Sequence, residues 1–143
     1  MPDIQHDFPI AAPTPAVFET LCSPGGLAAW WTETTEGRPG PGERYRLGFG
    51  AGYDWAGVIR RFEPDRLVEW EITEADDDWR GTRVGFRLAP RGDATDVEFW
   101  HTGWPDRNAH YRRSSFCWAM YLRLLRRHIE EGEVVPYAER LGA

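Results

Sequence analysis

The chain has 143 residues, a formal net charge of −6, 41% apolar residues and 28% charged ones, which fits one domain able to bury roughly 70% of the surface its unfolded chain exposes. The acidic balance argues against nucleic acid as a partner, since neutralising phosphates takes a surplus of positive charge, and no run of about eighteen apolar residues is present to insert into a membrane. All 17 basic residues are arginine, so Schiff-base chemistry, pyridoxal phosphate and a phosphate-loop lysine are excluded for want of the side chain.

The N-terminal MPDIQHDF lacks the basic and apolar regions of a signal peptide, and a cytoplasmic location is expected. Ile4, His6, Phe8 and Ile10 alternate with polar residues or proline, the period of a strand with one buried face. Thr14-Pro15 and Ser23-Pro24 each start a short helix, with the hydroxyl as the expected N-cap and proline in the first turn. Pro39-Gly40-Pro41-Gly42 forms a loop, since it propagates neither a helix nor a central strand. Strand-like runs follow at 44–49, 54–62, 67–73, 82–88 and 95–103, with a short further one at 32–35, making six or seven. The connections between the later runs are short, so neighbours pair antiparallel.

The segment 106–132 is the longest regular one. Tyr111, Ser115, Trp118, Leu122, Leu125 and Ile129 fall within about 40° of one line on a helix, with Asp106 as the expected N-cap and Gly132 as the C-cap. Phe116, Met120 and Leu124 make a second apolar stripe on the far side, which calls for cover by the tail or by a second subunit in a homodimer. Domain and tail divide at 1–132 and 133–143.

The ordered set Ala12-Pro13, Val17-Phe18, Gly26-Leu27, Trp30-Trp31, Gly42 with Tyr45, Gly57-Val58, Glu63-Pro64, Val68 with Trp70, Gly81-Thr82, Val97, His101, Gly103-Trp104, Tyr111, Trp118 and Leu122 resembles the START-like (SRPBCC) superfamily, and within it the family of the activator of heat-shock protein 90 ATPase. The resemblance implies an α+β helix-grip fold, an incurved antiparallel sheet around a long C-terminal helix with two short helices after the first strand. It also implies a cavity for a small, largely apolar molecule. A cyclase, dehydratase or isomerase acting on polyketide-like molecules is the alternative, and an interaction module for a chaperone or other protein is a third reading. The family has stand-alone bacterial relatives, and a bacterial source is expected for this chain.

The expected ligand contacts are Trp31, Phe49, Trp70, Phe86, Phe99, His101, Trp104, Tyr111, Ser115 and Trp118: large flat side chains with a few polar groups suit an aromatic or polycyclic molecule. No catalytic residue stands out unless it is His101, which shares the inward face of Val97 and Phe99 and has a side chain suited to acid–base work; the plain alternative is an interior histidine hydrogen-bonded to Ser115, Tyr111 or backbone. Glu69 and Glu71 alternate with Trp70 and are expected in solvent, and Asp76, Asp77 and Asp78 read as a solvated hairpin tip. The four histidines and the two distant cysteines, Cys22 and Cys117, lack metal-ligand spacing, so free thiols, no metal and no cofactor are expected.

Overall fold

The computed structural model describes residues 2–142. Along the chain lie β1 (Ile4–Ile10), α1 (Thr14–Cys22), α2 (Pro24–Trp30), β2 (Thr34–Glu36), β3 (Arg44–Gly48), β4 (Asp54–Glu63), β5 (Leu67–Glu74), β6 (Arg83–Arg91), β7 (Ala94–Thr102), α3 (Ala109–Glu131) and a closing 3-10 helix, Tyr137–Gly142. The strands form one antiparallel sheet in the order β1-β7-β6-β5-β4-β3-β2. Each hairpin from β2 to β7 joins neighbours, and β1 closes on β7 with Ile4 opposite His101 and Ile10 opposite Thr95. The short seventh strand starts two residues later than the sequence suggests, because Trp31 and Thr32 N–H still donate to Leu27 O at the end of α2 and pairing with β3 begins at Thr34. Register shifts in β4 at Ala56/Gly57 and Ile59/Arg61 are the kind of irregularity that bends a strand and increases local twist.

Local chemistry sets the helix ends. Ser23 caps α2 by accepting from the Gly26 N–H at 3.0 Å. Thr14 does not cap α1; the helix starts one residue earlier than that role requires, at Thr14 itself, and Pro13 occupies the cap position without a side-chain bond. Nor does Asp106 cap α3. Asn108 does so, its side chain accepting from Tyr111 N–H at 2.9 Å, which places the helix start two residues later, while Asp106 stays exposed. Gly132 ends α3 in the left-handed region at φ 71°, its N–H donating to His128 O, a conformation that glycine adopts without the Cβ penalty.

The core sits between the inner sheet face and the three helices. Trp70, Phe86, Phe99, Trp30 and Tyr45 are fully enclosed there, in contact edge to face or tilted: Tyr45 on Trp70 at 5.7 Å, Trp30 on Phe86 at 6.2 Å, Phe86 on Phe99 at 5.2 Å. These rings fill the interior along much of the sheet.

The outer face carries charges, with one departure from expectation. Glu69 is only 4% exposed. Its carboxylate accepts from Trp100 Nε1 at 2.8 Å and from Arg83 at 3.1 Å, with Arg61 at 3.7 Å; alternation does aim it away from the core, but Trp100 and the arginines roof it over.

Candidate functional site

Five aromatic side chains close a circle at the N-terminal half of α3. Trp31 meets Phe49 at 5.3 Å between ring centroids, Phe49 meets Trp55 at 5.4 Å, Trp55 meets Trp79 at 5.0 Å, Trp79 stacks on Trp118 at 6.1 Å, and Trp118 returns to Trp31 at 5.2 Å. All lie within the range where offset and edge-to-face arrangements are favourable. These rings form one wall of an open pocket of about 440 Å³, also lined by Tyr53, Tyr121, Tyr137 and Leu141 and by the polar side chains of Asp76, His110, Arg113, Ser114 and Cys117. Such a volume with a mostly apolar wall is in the range of small-molecule sites.

Different elements supply the wall for local reasons. Trp31 is the cap residue where α2 ends. Phe49 and Trp55 flank the turn between β3 and β4, where Phe49 N–H donates to Tyr53 O at 3.0 Å. Trp79 comes from the β5–β6 connection, which folds on itself: Trp79 and Arg80 N–H donate to Asp76 O, Gly81 N–H donates to Ile72 O, and the Thr82 hydroxyl donates to Trp79 O. That compact turn carries an acidic segment outward and drives its one tryptophan inward. On α3, His110, Ser114, Cys117 and Tyr121 recur at helical spacing and face the cavity.

The structure brings together three of the expected contacts, Trp31, Phe49 and Trp118, on this wall. Trp70, Phe86, Phe99 and Trp104 lie in the packed core instead. Tyr111 and Ser115 sit half-buried on another face of α3; the Tyr111 hydroxyl donates to Asp3 O at 2.7 Å and its ring meets Trp104 edge-on at 5.4 Å. The cavity face is turned by about 90° from the apolar line through Tyr111 and Ser115, and Trp118 stands at the edge shared by both. Trp55, though aromatic, and Trp79, His110, Ser114 and Tyr121 are the wall residues that sequence reasoning does not select. The i, i+4, i+7, i+11 spacing of His110, Ser114, Cys117 and Tyr121 is a signal in hindsight, since a mixed polar and aromatic stripe does not register as an apolar face.

His101 is fully enclosed and engaged on both nitrogens. Trp118 Nε1 donates to Nδ1 at 3.1 Å, so Nδ1 is the acceptor and Nε2 carries the proton, donated to Thr82 Oγ1 at 2.8 Å. Burial, and secondarily the nearby His110, push its pKa down to about 3. The ring is therefore neutral and has no nitrogen free to exchange a proton with a bound molecule. Its partners are Thr82 and Trp118 rather than Ser115, Tyr111 or backbone.

His110 is placed differently. Its Nδ1 lies 2.8 Å from Asp78 Oδ2, with side chains 31% and 18% exposed, and Asn108 Nδ2 approaches the same oxygen at 3.4 Å. Trp79 stacks on the imidazole at 6.1 Å and 24°, and Trp104 meets it edge-on at 5.7 Å. Asp78 is thus half-buried and bonded, while Asp76 and Asp77 are the solvated part of the triplet.

The tail docks beside the cavity. Buried Arg140 donates to Ala28 O at 2.8 Å, Thr32 O at 2.9 Å and Val135 O at 2.9 Å, and its guanidinium lies 5.4 Å from the Tyr137 ring. This brings Tyr137 and Leu141 to the mouth. The tail consequently does not cover Phe116, which is 82% exposed, although Leu124 is buried.

A curved antiparallel sheet gripping a long C-terminal helix, with a cavity at their junction, defines the START-like or SRPBCC class. Residues 11–130 match the family model described as activator of Hsp90 ATPase homolog 1-like protein, and the chain belongs to that family. No curated protein matches the sequence significantly. Among solved structures, the Aha1 dimer from Colwellia psychrerythraea is similar with a TM-score of 0.84 and 25% identity, covering 93% of this chain and 99% of that one. CalU16 from Micromonospora echinospora gives 0.74 at 22% identity, covering 96% and 82% of the two chains. DynU16, described as a protein in the dynemicin biosynthetic locus, gives 0.76 at 19% identity over 94% of this chain and half of that one. Among the described residues no helix is long and apolar enough to cross a membrane.

Proposed function

We propose that this protein binds a flat, largely apolar small molecule between the sheet and α3, the ligand stacking against the aromatic wall of Trp31, Phe49, Trp55, Trp79 and Trp118. The contiguous aromatic wall on a pocket of about 440 Å³ carries this reading. Aromatic faces reward a planar ligand with oriented contacts, while Arg113, Asp76 and the Tyr121 and Tyr137 hydroxyls offer polar contacts near the mouth. The place of DynU16 in a biosynthetic locus agrees with small-molecule work, including a cyclase-like step, on this fold.

The tryptophans of the wall provide the readout. Titration with 8-anilinonaphthalene-1-sulfonate is expected to quench tryptophan emission saturably, and Trp118→Ala to weaken binding at least tenfold. Native mass spectrometry of protein purified from its own source is expected to show a retained small molecule. Absence of both, with a chaperone co-purifying instead, would turn the assignment to a protein partner.

Self-association is favoured by a separate observation. The neighbour from Colwellia psychrerythraea is described as a dimer, and here Phe116 stands exposed beside Met120 on α3, in a depression edged by Arg123, Arg126 and Arg127. A second copy of the chain covering Phe116 gives that ring its partner.

A further inference from the structure

We propose that His110 and Asp78 form a general-base dyad in the wall of the aromatic cavity, with His110 as the catalytic base and Asp78 and Asn108 as positioning residues, acting on a planar carbon acid. The proposal rests on the cavity being a ligand site and adds the chemistry done there.

Geometry carries it. Asp78 accepts the Nδ1 proton of His110 at 2.8 Å, so in the neutral ring the lone pair is on Nε2, which has no hydrogen bond among the described residues. A carboxylate on the far nitrogen orients the imidazole and stabilises the imidazolium formed when Nε2 takes a proton, the arrangement in which histidine works as a base. Asp78 is itself anchored, because Asn108 reaches it through Nδ2 while capping α3 through Oδ1. The ring cannot swing freely, being stacked on Trp79 and edged by Trp104. A base, its orienter and the wall of an apolar pocket thus share one place.

Alternative bases are few. There is no lysine, and His101 has both nitrogens committed. Among the cavity-lining groups, Asp76 is exposed at the rim and has no orienting partner of the kind Asp78 gives His110. Arg113, also at the rim, supplies positive charge for an anion that forms in the cavity.

For the natural substrate the step is proton removal from a carbon beside a carbonyl. For a β,γ-unsaturated carbonyl the C–H bond at the α-carbon breaks, its electron pair moves into the dienolate, and the proton held on Nε2 returns to the γ-carbon as the C=C bond shifts to the α,β position, so that no other reactant is consumed.

The test uses the full chain and the probe 5-nitrobenzisoxazole. Here the base takes the C3 proton, the C–H pair completes the nitrile and the N–O bond breaks to release 2-cyano-4-nitrophenolate, whose absorbance reports the rate. Wild-type protein is expected to follow saturation kinetics faster than the same concentration of free imidazole. His110→Gln is expected to lower kcat by about 100-fold, at the lower end of what general acid–base catalysis contributes, while binding of the product, followed by tryptophan quenching, is kept. Asp78→Asn should lower kcat about tenfold or more with KM and melting temperature unchanged, and Asp78→Glu should restore part of the rate; a merely structural Asp78 would move stability and leave kcat alone. Asp77→Asn, on the solvated part of the same turn and outside the cavity lining, should leave kcat unchanged.

Product binding with a rate no better than imidazole overturns the dyad and leaves the cavity as a ligand site. A rate that survives His110→Gln overturns it in favour of another base. Failure of wild-type protein to bind the product or 8-anilinonaphthalene-1-sulfonate overturns the cavity reading, and the dyad with it.

Discussion

Trp118 donates its indole N–H to Nδ1 of His101 across 3.1 Å, joining α3 to β7 and deciding which proton the imidazole keeps. Folding holds that ring neutral, its pKa lowered from an ordinary 6.5 to about 3 by burial first and His110 second. Below pH 6.5 the unfolded chain therefore binds a proton that the folded one refuses. The contribution to stability is complete above the unfolded pKa and falls as pH drops toward the folded one, by about 1.4 kcal/mol per pH unit. Denaturant melts of wild type and His101→Gln between about pH 7 and 4.5 should show the variant less stable at neutral pH but with a shallower acid slope. Equal slopes would mean that His101 does not contribute.

Removing the donor tests the same bond from the other side. Trp118→Phe leaves an aromatic ring but abandons His101 Nδ1 in the core, where an unsatisfied buried acceptor costs about 1–3 kcal/mol. Urea unfolding at neutral pH is expected to show that loss along with weaker binding of 8-anilinonaphthalene-1-sulfonate. Unchanged stability would show that the bond is replaced on mutation.

On the outer face, Gly85 makes room for the indole that roofs Glu69. Trp100 on β7 reaches over β6 to the Glu69 carboxylate on β5, and a Cβ at position 85 would stand 2.4 Å from the indole ring. Gly85→Ala must displace Trp100, breaking the bond to Glu69 and exposing a carboxylate packed at 4%. A loss of about 1–3 kcal/mol is expected, measured by thermal melt. A neutral result would mean that the sheet shifts to accommodate the methyl.

The sheet and α3 were legible because alternation and helical spacing report burial, and burial is what the core imposes on Val84, Phe86, Val97, Phe99, Leu122 and Leu125. The same signal misdirects at the cavity. Tyr111, Ser115 and Trp118 share the apolar line of α3 with Leu122 and Leu125, yet only Trp118 lines the cavity, since a cavity wall need not be uniformly apolar. His110, Ser114, Cys117 and Tyr121 are too mixed to register as a face. Trp79 is hidden for another reason: it follows Asp76, Asp77 and Asp78, and only the hydrogen bonds that close residues 76–82 turn it inward. The Asp78–His110 pair joins residues 32 positions apart, a separation that no local pattern predicts.

Phe116 offers a test of self-association independent of the cavity. At 82% exposure it contributes little to the monomer core, so at a concentration low enough to keep the wild type monomeric Phe116→Glu should change stability by no more than about 0.5 kcal/mol. Sedimentation of the wild type at micromolar concentration is expected to show a dimer, and of the variant a monomer. A wild type that stays monomeric at high concentration would remove the dimer.

Arg140 holds the tail, and its hydrogen-bond partners among the described residues are backbone carbonyls. Its guanidinium sits at the C-terminal end of α2, where carbonyls lack helical partners and the helix dipole favours positive charge, and it bonds there to Ala28 O and Thr32 O while also closing on Val135 O. Arg140→Ala leaves those carbonyls without their donor and releases Tyr137 and Leu141 from the mouth of the cavity. About 2–4 kcal/mol should be lost, given charge-assisted bonds in a site only 3% exposed. Arg140→Lys should recover only part of it, because an ammonium group cannot present the planar fork that serves three carbonyls at once. Hydrogen exchange would locate the effect: fast exchange confined to residues 133–142 and the end of α2 is the expected pattern. Protection unchanged in the alanine variant would mean that the tail is held by Tyr137 and Val135 packing rather than by the arginine.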